Sequence, residues 1–261
     1  ELVRDCMGEQ GDLQLLSNLV SVGGLLNINS NNSLSQLLGL AELTSVGHLR
    51  IEGNASLVNL DGLEGLVSIG NLHIASNPAL VHVDGLQGLT SLDHLYLSDN
   101  DGLANLTGLT NVTAVGGDLE VSDNYALLDL WGLANINAVV SDLVIDSNDS
   151  LSSLDGLQAL ASVNGSMTLS GNSMLTRVDA LQNLTTITDS LLVANNQALA
   201  SISGMDALGS LGGSLTLSGN SILASTQPLQ NLGPLSGSVT IVDNARPIPN
   251  LAESHELYLQ L

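Results

Sequence analysis

Lysine and phenylalanine are absent from this 261-residue chain, and cysteine occurs once, at Cys6. A lone cysteine excludes an intrachain disulfide and a structural zinc site built on cysteines. Four residues are basic (Arg4, Arg50, Arg177 and Arg246) against 26 acidic ones, for a formal net charge of −22. That balance lacks the basic footprint that nucleic acid or an anionic membrane surface requires, so neither is expected as a partner. No apolar run approaches the ~20 residues needed to span a bilayer, and no membrane insertion is expected. Without lysine there is no phosphate-binding G-x-x-x-x-G-K loop, and neither G-x-S-x-G nor H-E-x-x-H occurs. No enzyme, metal or cofactor is expected. Aromatic residues amount to 2%, which leaves Leu, Ile, Val and Ala to fill a core. Uniform filling of that kind suits a thin, repetitive core. Because 44% of residues are hydrophobic and only 11% charged, the chain is not a disordered acidic tail.

What the chain does have is a period. Asparagines fall at Asn31, Asn54, Asn77, Asn100, Asn124, Asn148, Asn172, Asn196, Asn220 and Asn244, at spacings of 23 and then 24. Each sits in the frame x-L-x-[LIV]-x-x-N-x-x-L, as in His94-Leu95-Tyr96-Leu97-Ser98-Asp99-Asn100. The alternation before the asparagine predicts a half-buried strand. After it, apolar residues recur every third position, as at Leu57, Leu60, Leu63, Leu66 and Ile69. Period three predicts a 3₁₀-like arc that returns the chain to the next rung. Glycine punctuates the arcs at Gly39, Gly62, Gly85, Gly108, Gly132, Gly156 and Gly204. The longer units carry one extra residue, expected before the strand, as at Gly116-Gly117-Asp118. The asparagines are expected to be structural, each buried amide serving backbone groups at the turn and bonding to its stacked copies.

The expected fold is therefore a repeat solenoid of leucine-rich-repeat or right-handed β-helix type. It has about ten rungs, one parallel sheet face and 3₁₀ or loop arcs, within a single domain. Rungs ~4.8 Å apart make a rod of roughly 45 Å. Residues 1–24 are expected to form a cap and degenerate first turn with no strand before it, 25–244 the repeats, and 245–261 a terminal cover begun by Pro247 and Pro249. The first residue is Glu1 rather than Met, read as a processed or engineered start with any signal peptide already removed, so an extracellular or cell-surface location is expected.

The segment Leu80-Val81-His82-Val83-Asp84-Gly85-Leu86-Gln87-Gly88-Leu89 resembles the leucine-rich repeat superfamily. Ser21-Val22-Gly23-Gly24-Leu25-Leu26-Asn27-Ile28 and Ala114-Val115-Gly116-Gly117-Asp118-Leu119-Glu120-Val121 are similar to its receptor L-domain branch. That branch includes the ectodomains of the insulin and epidermal growth factor receptors, bacterial surface proteins and fungal wall proteins. The resemblance covers residues 13–244 and implies a non-enzymatic recognition module for a protein or glycan ligand. Members often close their ends with disulfides, whereas here Cys6 stands alone.

Repeat logic places function in what varies between rungs. The outward strand positions read His48, Arg50, Glu52; Asn71, His73, Ala75; His94, Tyr96, Ser98; Asp118, Glu120, Ser122; Asp142, Val144, Asp146; and then mostly short hydroxyls. Arg, Tyr and His are enriched in contact patches, so His48, Arg50, His73, His94 and Tyr96 are candidate ligand-binding residues. The acidic Asp118, Glu120 and Asp142 adjoin them. The alternatives are a solvated sheet on a structural or self-associating rod, and an ice- or surface-binding ladder through Thr168, Thr216 and Thr240. Seven N-x-[ST] sequons occur, three at ladder asparagines, and glycosylation is not expected.

Overall fold

The computed structural model describes residues 13–245 in full and the backbone of Leu2–Val3. Cys6 and nearly all of the expected terminal cover, Pro247 and Pro249 included, lie outside the described residues. The architecture is a parallel β-solenoid of about nine turns. Ten rungs were expected from ten asparagines, but ten marks bound only nine intervals.

Strands Ser45–Glu52, Ser68–Ala75 and Ser91–Ser98 pair in parallel register, each residue lying over its equivalent in the next rung. Their inward residues and the period-three apolar residues of the arcs merge into one core. Leu49, Ile51, Leu57, Leu60, Leu63 and Leu66 are all essentially fully buried. That core holds only Leu, Ile, Val, Met and Ala, as the near-absence of aromatics requires. Each fully buried aliphatic side chain contributes roughly 1.5–3 kcal/mol relative to an exposed one.

The asparagine ladder runs the length of the solenoid. Asn124 shows the pattern. Its N–H donates to Asn148 Oδ1 at 3.1 Å, and its Nδ2 donates to Ser122 O at 2.8 Å and Leu97 O at 3.0 Å. Its own Oδ1 accepts the Asn100 N–H at 3.3 Å. Each strand turns into the ladder through one left-handed residue, with φ of 54° to 66°: Ser30, Gly53, Ser76, Asp99, Asp123, Ser147, Gly171, Asn195, Gly219 and Asp243. Apart from the serines, these are the types that tolerate this region with least strain.

Seven arcs contain a single 3₁₀ turn, for example Trp131–Leu133, and three others turn at Gly62, Gly156 and Gly204 with positive φ. The arc glycines leave room for the rung beneath. A Cβ on Gly132 would stand 1.7 Å from Leu106 O.

Two features differ from expectation. The extra residue of the longer units does not precede the strand; it breaks it. Ser91–Ser98 pairs on its far side with two separate segments, Ala114–Val115 and Leu119–Ser122, and the sheet stays forked from there to the last rungs. In the first rung the same extra residue is absorbed instead as an irregularity within Ser21–Asn29, between Val22 and Leu25. A strand also precedes that rung, where none was expected: Leu2–Val3 pairs in parallel with Asn27 and Ile28. It supplies ladder partners that the first strand would otherwise lack.

Candidate functional site

Parallel register sorts the outward strand face into three columns. The middle column runs Arg50, His73, Tyr96, Glu120, Val144, Thr168, Leu192, Thr216 and Thr240 in unbroken Cα pairing. The structure thus brings Arg50, His73, Tyr96 and Glu120 side by side on four neighbouring rungs, ~4.8 Å apart.

The first column does something the repeat pattern did not reveal. His48 Nδ1 accepts the Asn71 N–H at 3.2 Å, and His94 Nδ1 accepts the Asp118 N–H at 3.0 Å. Asp118 Oδ1 accepts the Asp142 N–H at 3.3 Å, and Asp142 Oδ1 the Ser166 N–H at 2.7 Å. Serines continue the series: Ser190 Oγ accepts the Ser214 N–H at 3.0 Å, and Ser214 Oγ the Ser238 N–H at 3.1 Å. This is a second side-chain ladder. From Asp118 onward it satisfies backbone donors at the fork, and His48 serves the Asn71 N–H in the same way within the unbroken strands. Four candidate ligand residues, His48, His94, Asp118 and Asp142, therefore hold the rungs together. An imidazole that accepts at Nδ1 presents its N–H at Nε2. A signal existed in the glycine that often precedes the column. A Cβ on Gly117 would stand 2.3 Å from the His94 ring, and one on Gly165 2.3 Å from Asp142 Oδ1.

The third column is less outward than expected. Ser122 is only 5% exposed, like Ala75 and Ala194 at the same position in other rungs. Its hydroxyl donates to Glu120 Oε1 at 2.8 Å.

Around Tyr96 the columns interlock. The Tyr96 hydroxyl donates to Asp118 Oδ2 at 2.8 Å and lies 3.2 Å from His94 Nδ1. The His94 and Tyr96 rings stack at 5.8 Å with 7° between planes, and the His73 ring lies 6.1 Å from Tyr96, tilted by 47°. Burial and the Asp118 carboxylate push the Tyr96 hydroxyl up to about 12. Hydrogen bonds from Ser141, Tyr96 and the Asp142 N–H outweigh burial and hold the Asp118 carboxyl down to about 2. Both shifts lead away from neutrality, so at pH 7 this pair is a fixed donor and a fixed acceptor. Burial and the neighbouring Arg50 charge lower the His73 pKa, against the opposing pull of Glu52 and Glu120. Arg50 itself is ion-paired along its own strand, with Nε donating to Glu52 Oε2 at 2.6 Å.

Among the described residues, no group of three His, Cys, Asp or Glu side chains is placed to hold a metal ion. No described helix is long and apolar enough to cross a membrane. Compared with known families, curated proteins and solved structures, the chain matches none.

Proposed function

We propose that this chain is a non-enzymatic, extracellular or cell-surface recognition module, kin to the leucine-rich repeat and receptor L-domain proteins, that binds a protein or glycan through its outward strand face. The observation that carries the proposal is the middle column. Arg50, His73, Tyr96 and Glu120 stand in register on consecutive rungs, with the first-column side chains fixed beside them by the second ladder. A contact surface gains from such prior ordering, because less side-chain freedom is lost on binding. Arg50 offers a planar fork of donors, Tyr96 a ring with a polar tip, and His73 bridges them. A second reading, a structural or self-associating rod, draws support from the two ladders themselves, which stiffen the stack whatever its face carries.

A glycan array and a panel of purified cell-surface proteins test the proposal. Arg50→Ala, His73→Ala and Tyr96→Ala are each expected to weaken a ligand found there by about 30-fold, the effect of losing ~2 kcal/mol, while Thr216→Ala changes little. Equal losses at Thr216 and at the three anchors would favour the rod.

A further inference from the structure

The arc that follows Asn124 carries the chain's single tryptophan and one of its three tyrosines within seven residues. Tyr125, Leu128 and Trp131 are 46%, 56% and 50% exposed, while Leu127, Leu130 and Leu133 beside them are fully buried. The buried leucines anchor the arc, and its 3₁₀ turn at Trp131–Leu133 fixes the direction of the exposed side chains. Core packing thus holds three large apolar groups out in solvent at a spacing of three residues.

The patch extends across rungs. Leu128 N–H donates to Ala104 O at 3.3 Å, Ala104 N–H to Val81 O at 2.9 Å, and Val81 N–H to Val58 O at 2.9 Å. Val81 and Val58 are also exposed. An apolar stripe therefore crosses four rungs, roughly 15 Å at ~4.8 Å per rung. It lies on the arcs, away from the strand face discussed above.

Carboxylates border the aromatic end. Asp101 and Asp149 occupy the rungs on either side of Tyr125, and Asp129 Oδ1 accepts the Trp131 N–H at 3.1 Å. Tyr125's hydroxyl feels this field: Asp123 first, then burial, then Asp101, Asp149 and Asp99, all push its pKa up. The chain supplies little to neutralise it. Of the two arginines among the described residues, Arg50 is bound to Glu52 and Arg177 to Asp155.

We infer that the arc face around Tyr125, Leu128 and Trp131 is a docking surface for an extended, arginine-bearing apolar segment of a partner protein. The apolar stripe matches aliphatic side chains of such a segment, and the exposed rings offer faces on which guanidinium groups stack. The surrounding carboxylates complement its charge and would speed its capture. An exposed aromatic patch without the acidic rim would not select for charge. A rim without the patch would bind any cation loosely.

The probe is the peptide acetyl-(Arg-Leu)₃-amide, titrated calorimetrically into the full chain at low and at ~0.15 M salt. Binding is expected, with quenching of the sole tryptophan, and acetyl-(Glu-Leu)₃-amide should not bind. Trp131→Ser and Tyr125→Ser, which leave net charge unchanged, are each expected to weaken binding by at least ~10-fold. Met174→Ser, which removes a 57% exposed apolar side chain from another arc, should leave affinity unchanged. All three side chains are well exposed, so the variants are expected to fold, which circular dichroism and melting check. No binding of the arginine peptide, or equal affinity in all variants, would overturn the inference, the latter by showing capture through net charge alone. Quenching of Trp131 by a neutral oligosaccharide but not by the peptide would overturn it too, in favour of a glycan.

Discussion

The rungs at Ser45–Glu52, Ser68–Ala75 and Ser91–Ser98 and the rungs after them share one core and one asparagine ladder, yet differ in their sheets. The former have unbroken strands of eight residues; the latter split the same stretch into pieces of two and four. One added residue per repeat accounts for the change. Both pieces keep their inward residues in register, so the addition is absorbed between them. The comparison teaches which parts of a rung specify the stack. Core leucines and ladder asparagines tolerate no slip, while the middle of the strand face tolerates one residue. The side chains differ in parallel: Arg, His and Tyr lie on the unbroken strands, and mostly Ser and Thr on the later forked ones.

The largest effect should be blind to the fork. Asn77→Ala, in the unbroken region, removes the acceptor of the buried Asn54 N–H and a donor to the Ile51 and Ala75 carbonyls, and Asn172→Ala, in the forked one, removes the acceptor of the Asn148 N–H and a donor to the Ile145 and Ser170 carbonyls. Each unsatisfied group is worth about 1–3 kcal/mol, so each variant should lose at least about 2 kcal/mol by urea denaturation. A loss at only one site would mean that the ladder does not serve both halves alike.

Much of this was legible in the sequence, for a physical reason. A solenoid repeats its environment, so a requirement met once per turn appears ten times, as the asparagines and arc leucines do. The left-handed residue before each asparagine left the same kind of trace, in a position restricted to Ser, Gly, Asp and Asn. The second ladder was harder to see. Histidine, aspartate and serine all supply an acceptor for the same N–H, so the chemistry is periodic while the residue type is not. For that reason His48, His94, Asp118 and Asp142 read as variable surface residues. The burial of Ser122 had no sequence signal, because serine serves equally well inside and outside.

Glycines sharpen the comparison next. Gly24 and Gly117 occupy equivalent places in Gly-Gly pairs, one within the irregular first strand and the other at the fork. Among the described residues a Cβ on Gly24 meets nothing within 4 Å, whereas one on Gly117 collides with the His94 ring at 2.3 Å. Gly117→Ala must displace that ring from the Asp118 N–H, and should cost ~1–3 kcal/mol as overpacking does. Gly24→Ala should change stability by less than ~0.5 kcal/mol. Thermal melts of the two variants provide the check, and equal shifts would refute the account of the fork glycines.

The smallest effect separates the two ladder chemistries by pH. Asp118 has its folded pKa held to about 2, below the ordinary 3.8, chiefly by hydrogen bonds that its carboxylate accepts. Its contribution is therefore fully present above about pH 4 and is lost as pH falls from there through about 2. Ser214 fills the same column further along, accepting the Ser238 N–H, and has no charge to lose. Many other carboxylates titrate in the same window, so the informative quantity is the gap between the parent chain and each variant. With Asp118→Asn, a gap of about 1 kcal/mol or less at pH 5 should close by pH 2, since the residue is partly exposed. With Ser214→Ala the gap should stay constant across that range. Tyr96 provides the alkaline counterpart. Its folded pKa of about 12 exceeds the ordinary 10, so its contribution is present below pH 10 and is lost as pH rises toward 12. Tyr96→Phe should then differ from the parent at pH 8 by more than at pH 12. If Asp118→Asn and Ser214→Ala show the same pH profile, the acidic and hydroxyl stretches of the second ladder are equivalent.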